Sequence, residues 1–173
     1  TTELRAQISS WPFAAKFTIS RGSKTQADVI VAEFESEGRV GRGECVPYAR
    51  YDETLDSVLR QINDAAGAVE ASATSGGPES ALQTAAEQLP AGAARNAVDC
   101  ALIDLLCKVR GLPAWQLLGA DEPAPIVTAY TLSLDTPERM ADSARLHRDR
   151  PLLKLKMDRE HTLTSFRAVR QAA

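Results

Sequence analysis

Two lysines, Lys154 and Lys156, alternate with apolar residues in the segment Leu153-Lys-Leu-Lys-Met157. Successive side chains of a β-strand point to opposite faces, so both ammonium groups project from one face and the apolar side chains from the other. Repulsion between the two ammonium groups and their burial both lower a lysine pKa, which lets the amine abstract a proton near neutral pH. Lys-x-Lys is a weak motif, however, and the spacing alone favours an exposed edge strand whose lysines discourage aggregation.

The last third of the sequence alternates between strand and helix patterns. We expect strands over residues 126–134 and 152–157. The first is followed by a helix that begins at Thr136-Pro137 and ends near His147, and the second by a helix that runs to the last residue. This order implies parallel pairing through crossover connections, so we place a domain boundary near residue 120.

The first 119 residues are expected to form an α+β domain, with strands first and helices after them. The predicted strands are residues 5–10, 29–34 and 40–45, with a turn at Trp11-Pro12, a loop at Arg21-Gly22 and a hairpin turn at residues 37–39. Apolar spacing predicts helices over residues 55–69, from the Ser-Gly-Gly-Pro break at 75–78 to about Leu89, and over 94–109. Asp52 is the candidate cap of the first of these helices, and Gly111 is the expected end of the third.

The composition excludes several classes of protein. The 173 residues carry a net charge of −3, which argues against a nucleic-acid or anionic-membrane partner. No apolar run approaches the roughly 20 residues that span a bilayer, and the N-terminus has no signal-peptide pattern. The three cysteines occur in unrelated settings, as expected of reduced thiols. We therefore expect a cytoplasmic protein that does not enter a membrane.

Longer motifs elsewhere in the sequence favour a catalytic role for the lysine pair over an exposed edge strand. Two of them, Arg-Asn-Ala-Val-Asp-Cys-Ala and Gly-Glu-Cys-Val-Pro-Tyr, are much more specific than Lys-x-Lys. Over almost its whole length the chain resembles the enolase superfamily and, within it, the dipeptide epimerases. The resemblance rests on five stretches of sequence: residues 17–23, 41–51, 90–105, 130–133 and 153–156.

The resemblance implies a fold and a reaction. Residues 1–119 would form an N-terminal capping domain, an antiparallel meander with helices, and residues 120–173 the first two β/α units of an incomplete (β/α)8 barrel. Members of the superfamily bind Mg2+ and abstract the proton α to a carboxylate, which gives an enediolate. Epimerases return the proton to the opposite face, here of a dipeptide such as L-Ala-D/L-Glu.

The same resemblance assigns roles to four residues. Lys156 matches the acid/base on one face of the substrate, and Lys154 matches its electrostatic partner, which binds the substrate and neutralises the enolate. Thr131, in Tyr-Thr-Leu-Ser, matches a substrate-contacting threonine at the end of the first barrel strand. Arg21 matches a mobile capping loop, where a guanidinium can bind the carboxylate of a Glu side chain; an ordinary exposed arginine is the alternative.

Other groups of the family's site have no counterpart in these residues. The Mg2+ ligands, the opposing lysine and an Asp-x-Asp that holds the dipeptide's ammonium group are expected beyond residue 173. A barrel needs roughly 200–250 residues, and barely 50 follow the boundary. We therefore expect the 173-residue chain to be inactive alone. The expected partners are a C-terminal segment that completes the barrel, either as a continuation or as an associated chain, and a second copy in a homo-oligomer.

Two other functions remain open at this point. The first is another reaction of the superfamily, such as that of a muconate-type cycloisomerase or an o-succinylbenzoate synthase. The second is a non-catalytic capping-domain protein that serves in binding. An Asp-x-Asp in the last barrel strand would favour the dipeptide epimerase over the first of these.

Overall fold

The computed structural model describes all 173 residues, which form two compact units. One unit consists of Thr1–Trp11 and Asp28–Pro123, and the other of Pro12–Ala27 and Ala124–Ala173. The strands are β1 (Thr2–Ile19), β2 (Gly22–Ser36), β3 (Arg39–Cys45), β4 (Tyr130–Leu132) and β5 (Leu153–Leu155). The helices are α1 (Leu55–Gln88), α2 (Ala93–Arg110), α3 (Ala114–Leu117), α4 (Pro137–Leu146) and α5 (Thr162–Ala172), and Ala49–Tyr51 form a 3-10 turn.

The predicted hairpin joins β2 and β3 in a three-stranded sheet of order β1-β2-β3. The two strands are antiparallel, with Phe34 opposite Gly41 and Ile30 opposite Cys45. Their connection has two residues with positive φ, Glu37 at 51° and Gly38 at 75°. Two such residues in succession match the twist of the flanking strands, which is why a loop of two residues closes this hairpin.

The predicted turn at Trp11-Pro12 is wrong, because β1 continues through it to Ile19. Proline has no N–H to give to a ladder, so a proline in a strand usually marks an interruption. It is tolerated in β1 because β1 lies at the edge of the sheet. The chain turns instead at Ser20 and Arg21, and β2 begins at Gly22. The loop expected at Arg21-Gly22 is therefore present, as the tight end of a long hairpin.

Helices α1 and α2 cover the sheet of the first unit with one apolar core. The alternating residues Ile30, Ala32 and Phe34 of β2 are fully buried in it, within the strand that was predicted over residues 29–34. α1 is broken at Gly77, where φ is 75°, within the predicted Ser-Gly-Gly-Pro break. α2 ends at Gly111 in the left-handed conformation, which is also as predicted.

The N-terminal cap of α1 is Thr54, and the prediction of Asp52 is wrong. Thr54 Oγ1 accepts a hydrogen bond from Ser57 N at 3.1 Å, and Ser57 Oγ accepts one from Thr54 N at 2.9 Å. This reciprocal pair is a capping box, which satisfies two otherwise unpaired N–H groups. Asp52 instead ends the preceding 3-10 turn with φ at 58°. A cap must directly precede the first helical residue, and that position belongs to Thr54.

Loss of this cap has a defined expected cost. Thr54→Ala should lower the free energy of unfolding by about 1 kcal/mol, because Ser57 N loses its acceptor. Equilibrium unfolding in urea measures the change. Thr74→Ala is the matched control, because Thr74 is exposed within α1 and its hydroxyl only donates to Glu70 O. This substitution should not destabilise the protein and should raise the free energy of unfolding by about 0.5 kcal/mol, because alanine favours a helix more than threonine does. Equal effects of the two substitutions would contradict the assigned cap.

The second unit contains a parallel strand pair covered on one face by two helices. β4 and β5 pair in parallel, and Leu132, Met140, Ala144 and Val169 form a small core between the pair and helices α4 and α5. Thr136 caps α4 with Pro137 in its first turn, as predicted. β4 is shorter than predicted, and Ile126 is 83% exposed, because strand structure persists only where β5 supplies hydrogen-bond partners. None of the helices in the chain has the length and apolar character that a bilayer crossing requires.

Candidate active site

The β4–β5 pair places three of the predicted site residues on one face. Thr131 lies opposite Lys154 in the register, so the two side chains project from the same side. The next pair, Leu132 and Leu155, projects from the other side, where Leu132 is 1% exposed in the small core. Lys156 N donates to Leu132 O at 3.2 Å and lies two residues beyond Lys154, on the same face. The alternation therefore orients the lysines as the sequence predicted, away from α4 and α5.

The two lysines differ in their surroundings. Lys154 is exposed and Lys156 is half-buried, and neither forms an ion pair within the chain. Met157 was expected to share the buried face with Leu155, but β5 ends at Leu155 and Met157 is exposed. An ammonium group without a carboxylate partner keeps its hydrogen-bonding capacity for a ligand. Of the two, Lys156 is the more shielded from solvent.

The turn of the long hairpin is anchored just beyond the end of β4. Thr18 N donates to Ser133 Oγ at 2.7 Å, and Thr18 O accepts from Leu134 N at 3.0 Å. Within the hairpin, Thr18 Oγ1 and Ser23 Oγ are hydrogen-bonded at 2.9 Å, which links β1 to β2. Arg21 lies between these two residues of the hairpin. The turn that carries Arg21 is thus fixed to the segment that directly follows Thr131 and Leu132.

Arg21 itself is exposed and forms no ion pair within the chain. A guanidinium in this state offers a planar fork of N–H donors that binds a carboxylate through two parallel hydrogen bonds. The position is consistent with a role in binding an anionic ligand. The sequence identified Arg21 but not its anchor, Ser133, since a serine after a short strand is ordinary turn chemistry and gives no separate signal.

A second group of polar residues lies in the first unit, at the N-terminus of α2. Glu53 Oε1 accepts from Ala93 N at 2.7 Å, and Glu53 Oε2 accepts from Tyr48 N at 3.1 Å. Glu53 therefore caps α2 and holds the loop after β3. These residues and Cys45 line a cavity of about 390 Å³. Burial raises the pKa of the Cys45 thiol to about 11, so the thiol stays protonated and is a poor nucleophile.

The side chains that could ligate a metal ion do not come together in this chain. Mg2+ prefers several oxygen ligands in near-octahedral geometry, at least one or two of them carboxylates. No group of three or more His, Cys, Asp or Glu side chains comes close enough together to hold a metal ion. The acidic residue nearest in sequence to the lysines is Asp158, which accepts hydrogen bonds from His161 N and His161 Nδ1. These hydrogen bonds lower the pKa of Asp158, and they connect β5 to α5.

The chain is similar to a known protein family over its first 119 residues and to curated relatives over most of its length. The family described as mandelate racemase / muconate lactonizing enzyme, N-terminal domain, matches residues 1–119. L-Ala-D/L-Glu epimerase of Escherichia coli (strain K12) is 40% identical over 165 residues, which are 94% of this chain and 49% of that protein. The chain spans about half the length of the curated relatives it matches.

Two solved structures are similar over essentially the whole chain. One is an enolase family member from Agrobacterium tumefaciens with homology to dipeptide epimerases, with bound sodium and L-Ala-L-Glu. It is 42% identical with a TM-score of 0.87, over 100% of this chain and 51% of that chain. The other is a dipeptide epimerase from Enterococcus faecalis complexed with Mg and L-Leu-L-Tyr, 28% identical with a TM-score of 0.79, over 99% of this chain and 50% of that chain.

Proposed function

Because the chain belongs to the mandelate racemase / muconate lactonizing enzyme family of the enolase superfamily, we propose that it acts as part of an isomerase that epimerises a dipeptide such as L-Ala-D/L-Glu. In this proposal residues 1–119 are the capping domain and residues 120–173 are the first two β/α units of a (β/α)8 barrel. The observation that carries it is the common face of Thr131, Lys154 and Lys156 near the carboxyl ends of two parallel strands. In barrels of this type the active site lies at that end.

In the proposed reaction the two lysines have different roles. Lys156, as the neutral amine, takes the proton from the carbon α to the substrate carboxylate and becomes an ammonium ion. The negative charge that develops on the carboxylate oxygens is offset by the ammonium group of Lys154. The Thr131 hydroxyl, on the same face, donates a hydrogen bond that orients the substrate. Delivery of a proton to the opposite face completes the epimerisation, by a base that we propose lies outside these residues.

Charge supports an anionic substrate. The second unit contains twelve Lys or Arg residues against six Asp or Glu residues, a net charge of +6 within a chain whose total is −3. Such a local excess attracts anions and raises their rate of encounter. Arg21 belongs to this unit, and we assign to it the side-chain carboxylate of a Glu-containing dipeptide. This assignment makes Arg21 the residue that distinguishes acidic from neutral dipeptides.

Mg2+ is the proposed cofactor, because the Enterococcus faecalis relative is complexed with it. When bound, the ion would stabilise negative charge on the substrate carboxylate. The residues present do not fit such a site, so we assign its ligands to positions beyond residue 173. The barrel would be completed by a C-terminal segment, continuous or associated, and homo-oligomers are a further proposed assembly. We also propose a cytoplasmic location, as expected for three cysteines that occur in unrelated settings of the sequence.

The experiment is a proton-exchange measurement in D2O. A polypeptide of the relatives' full length that contains these residues is incubated with Mg2+ and L-Ala-L-Glu, and proton NMR follows loss of the Glu α-proton signal together with appearance of the other epimer. We expect both changes for the long polypeptide and neither for residues 1–173 alone. Exchange catalysed by residues 1–173 alone would contradict the division of the site. Turnover of a muconate-type substrate without exchange of any dipeptide would replace the epimerase by a cycloisomerase.

A further inference from the structure

One hydroxyl group joins the hairpin turn to the strand ends that carry the lysines. Ser133 Oγ accepts from Thr18 N at 2.7 Å and donates to Thr18 O at 3.4 Å, so it contacts both main-chain polar groups of Thr18. We propose that Ser133 is a positioning residue: it holds the hairpin turn beside the β4–β5 face and thereby sets the affinity for the acidic dipeptide. This inference rests on the proposed function and deepens it, because Ser133 acts through Arg21.

Only a short stretch of chain separates Arg21 from Thr18, the residue that Ser133 binds, and a hydrogen bond closes this stretch into a loop. Thr18 precedes Arg21 by three residues, and the bond between Thr18 Oγ1 and Ser23 Oγ ties the two strands together around the turn. Only residues 19–22 lie inside this closure, so a fixed Thr18 confines Arg21 to a small volume. On its other side Ser133 directly follows Leu132, whose carbonyl oxygen accepts from Lys156 N. Ser133 is therefore joined to the turn that carries Arg21 through Thr18, and to the strand that carries the lysines through Leu132.

The turn has little else to hold it within its unit. Residues 12–16 and 20–26 are exposed, and Thr18 is half-buried. A segment with few buried contacts opens locally at low free-energy cost, so a few hydrogen bonds decide how often it is in place. The remaining bond, Leu134 N to Thr18 O, keeps the turn attached without Ser133. Loss of the hydroxyl should therefore lower the population of the anchored state rather than abolish it.

The kinetic test uses Ser133→Ala in the full-length polypeptide with L-Ala-L-Glu as substrate. An apparent dissociation constant rises in inverse proportion to the competent fraction, so we expect KM to rise about three- to tenfold and kcat to stay within about twofold. Ser133→Thr retains the hydroxyl and should restore KM. Ser143→Ala in α4 is the control, because it removes a hydroxyl of the same unit that makes no hydrogen bond to the turn. A fall in kcat at unchanged KM would overturn the proposal.

A double substitution tests whether Ser133 acts through Arg21. If Arg21→Gln has already removed the carboxylate contact, Ser133→Ala should raise KM by less than about twofold in that background. Hydrogen–deuterium exchange gives a readout that does not depend on catalysis: the Thr18 amide should exchange about three- to tenfold faster in Ser133→Ala. Unchanged exchange at Thr18, or equal KM effects in the two backgrounds, would overturn the positioning role. Faster exchange in a protein that turns over no dipeptide would uphold the anchor and overturn the proposed function instead.

Discussion

Gly43→Ala is expected to lower the free energy of unfolding by about 3 kcal/mol, a large part of the roughly 5–15 kcal/mol that stabilises a domain. A Cβ atom at Gly43 would lie 2.0 Å from Ala97 O and 2.7 Å from Ala101 N. Both are main-chain atoms of α2, so no side-chain rotation relieves the overlap and the helix must move away from β3. Thermal unfolding followed by circular dichroism should show a fall in Tm of about 6–12 °C.

The matched control for this prediction is Gly67→Ala. Gly67 lies in α1, and a Cβ atom there would meet no atom within 4 Å. Alanine restricts the unfolded chain and favours the helix, so this substitution should raise the free energy of unfolding by about 0.5–1 kcal/mol. If the two substitutions shift Tm in the same direction, the close approach of β3 to α2 is not a feature of the native protein.

The close approach of α2 to β3 could not be predicted from the sequence. The strand over 40–45 was predicted from its pattern, but nothing in the neighbouring sequence explains its two glycines, Gly41 and Gly43. In the structure Phe34 faces Gly41 and Ala32 faces Gly43, so the two glycines give α2 room to approach the sheet. A glycine inside a strand indicates that something approaches closely. Which element approaches depends on packing between distant segments, which the pattern does not contain.

The features that were predicted correctly are those set by local chemistry. The hairpin of β2 and β3 follows from the turn that contains Gly38, and the end of α2 follows from Gly111, which adopts the left-handed conformation without strain. The wrong predictions involve competing local signals. Asp52 and Thr54 both resemble caps, and Trp11-Pro12 resembles a turn, until the 3-10 turn and the edge position of β1 decide the outcome.

In the candidate site, too, the features set by local sequence were predicted and the contacts between distant residues were not. The common face of Lys154 and Lys156 follows from strand alternation and was predicted, whereas the anchoring of the hairpin turn was not. That anchor joins Thr18 and Ser133, which are 115 residues apart in sequence. Neither residue has an unusual type or spacing. The hydrogen bond between the Thr18 amide and the Ser133 hydroxyl depends on the tertiary fold. It therefore could not be predicted from the sequence.

Lys156→Met should reduce epimerisation of L-Ala-L-Glu by the full-length polypeptide by about a thousandfold, because the substitution removes the proposed base for the α-proton. Methionine keeps the unbranched shape of lysine and loses the amine. Deuterium exchange in D2O gives a sharper result than turnover, since an epimerase of this kind works on both faces of the α-carbon. Exchange should be lost from the epimer whose α-proton faces Lys156 and should persist from the other epimer.

The asymmetry between epimers is what separates a base from a merely structural lysine. Lys154→Met should slow exchange of both epimers, because charge neutralisation at the carboxylate serves deprotonation from either face. Arg60→Met removes one positive charge from the exposed surface of α1 and should leave both rates unchanged. Equal losses for the two epimers in Lys156→Met would mean that Lys156 supports the site without transferring the proton. The role of base would then have to pass to another group, and the half-buried position of Lys156 would be explained by packing alone.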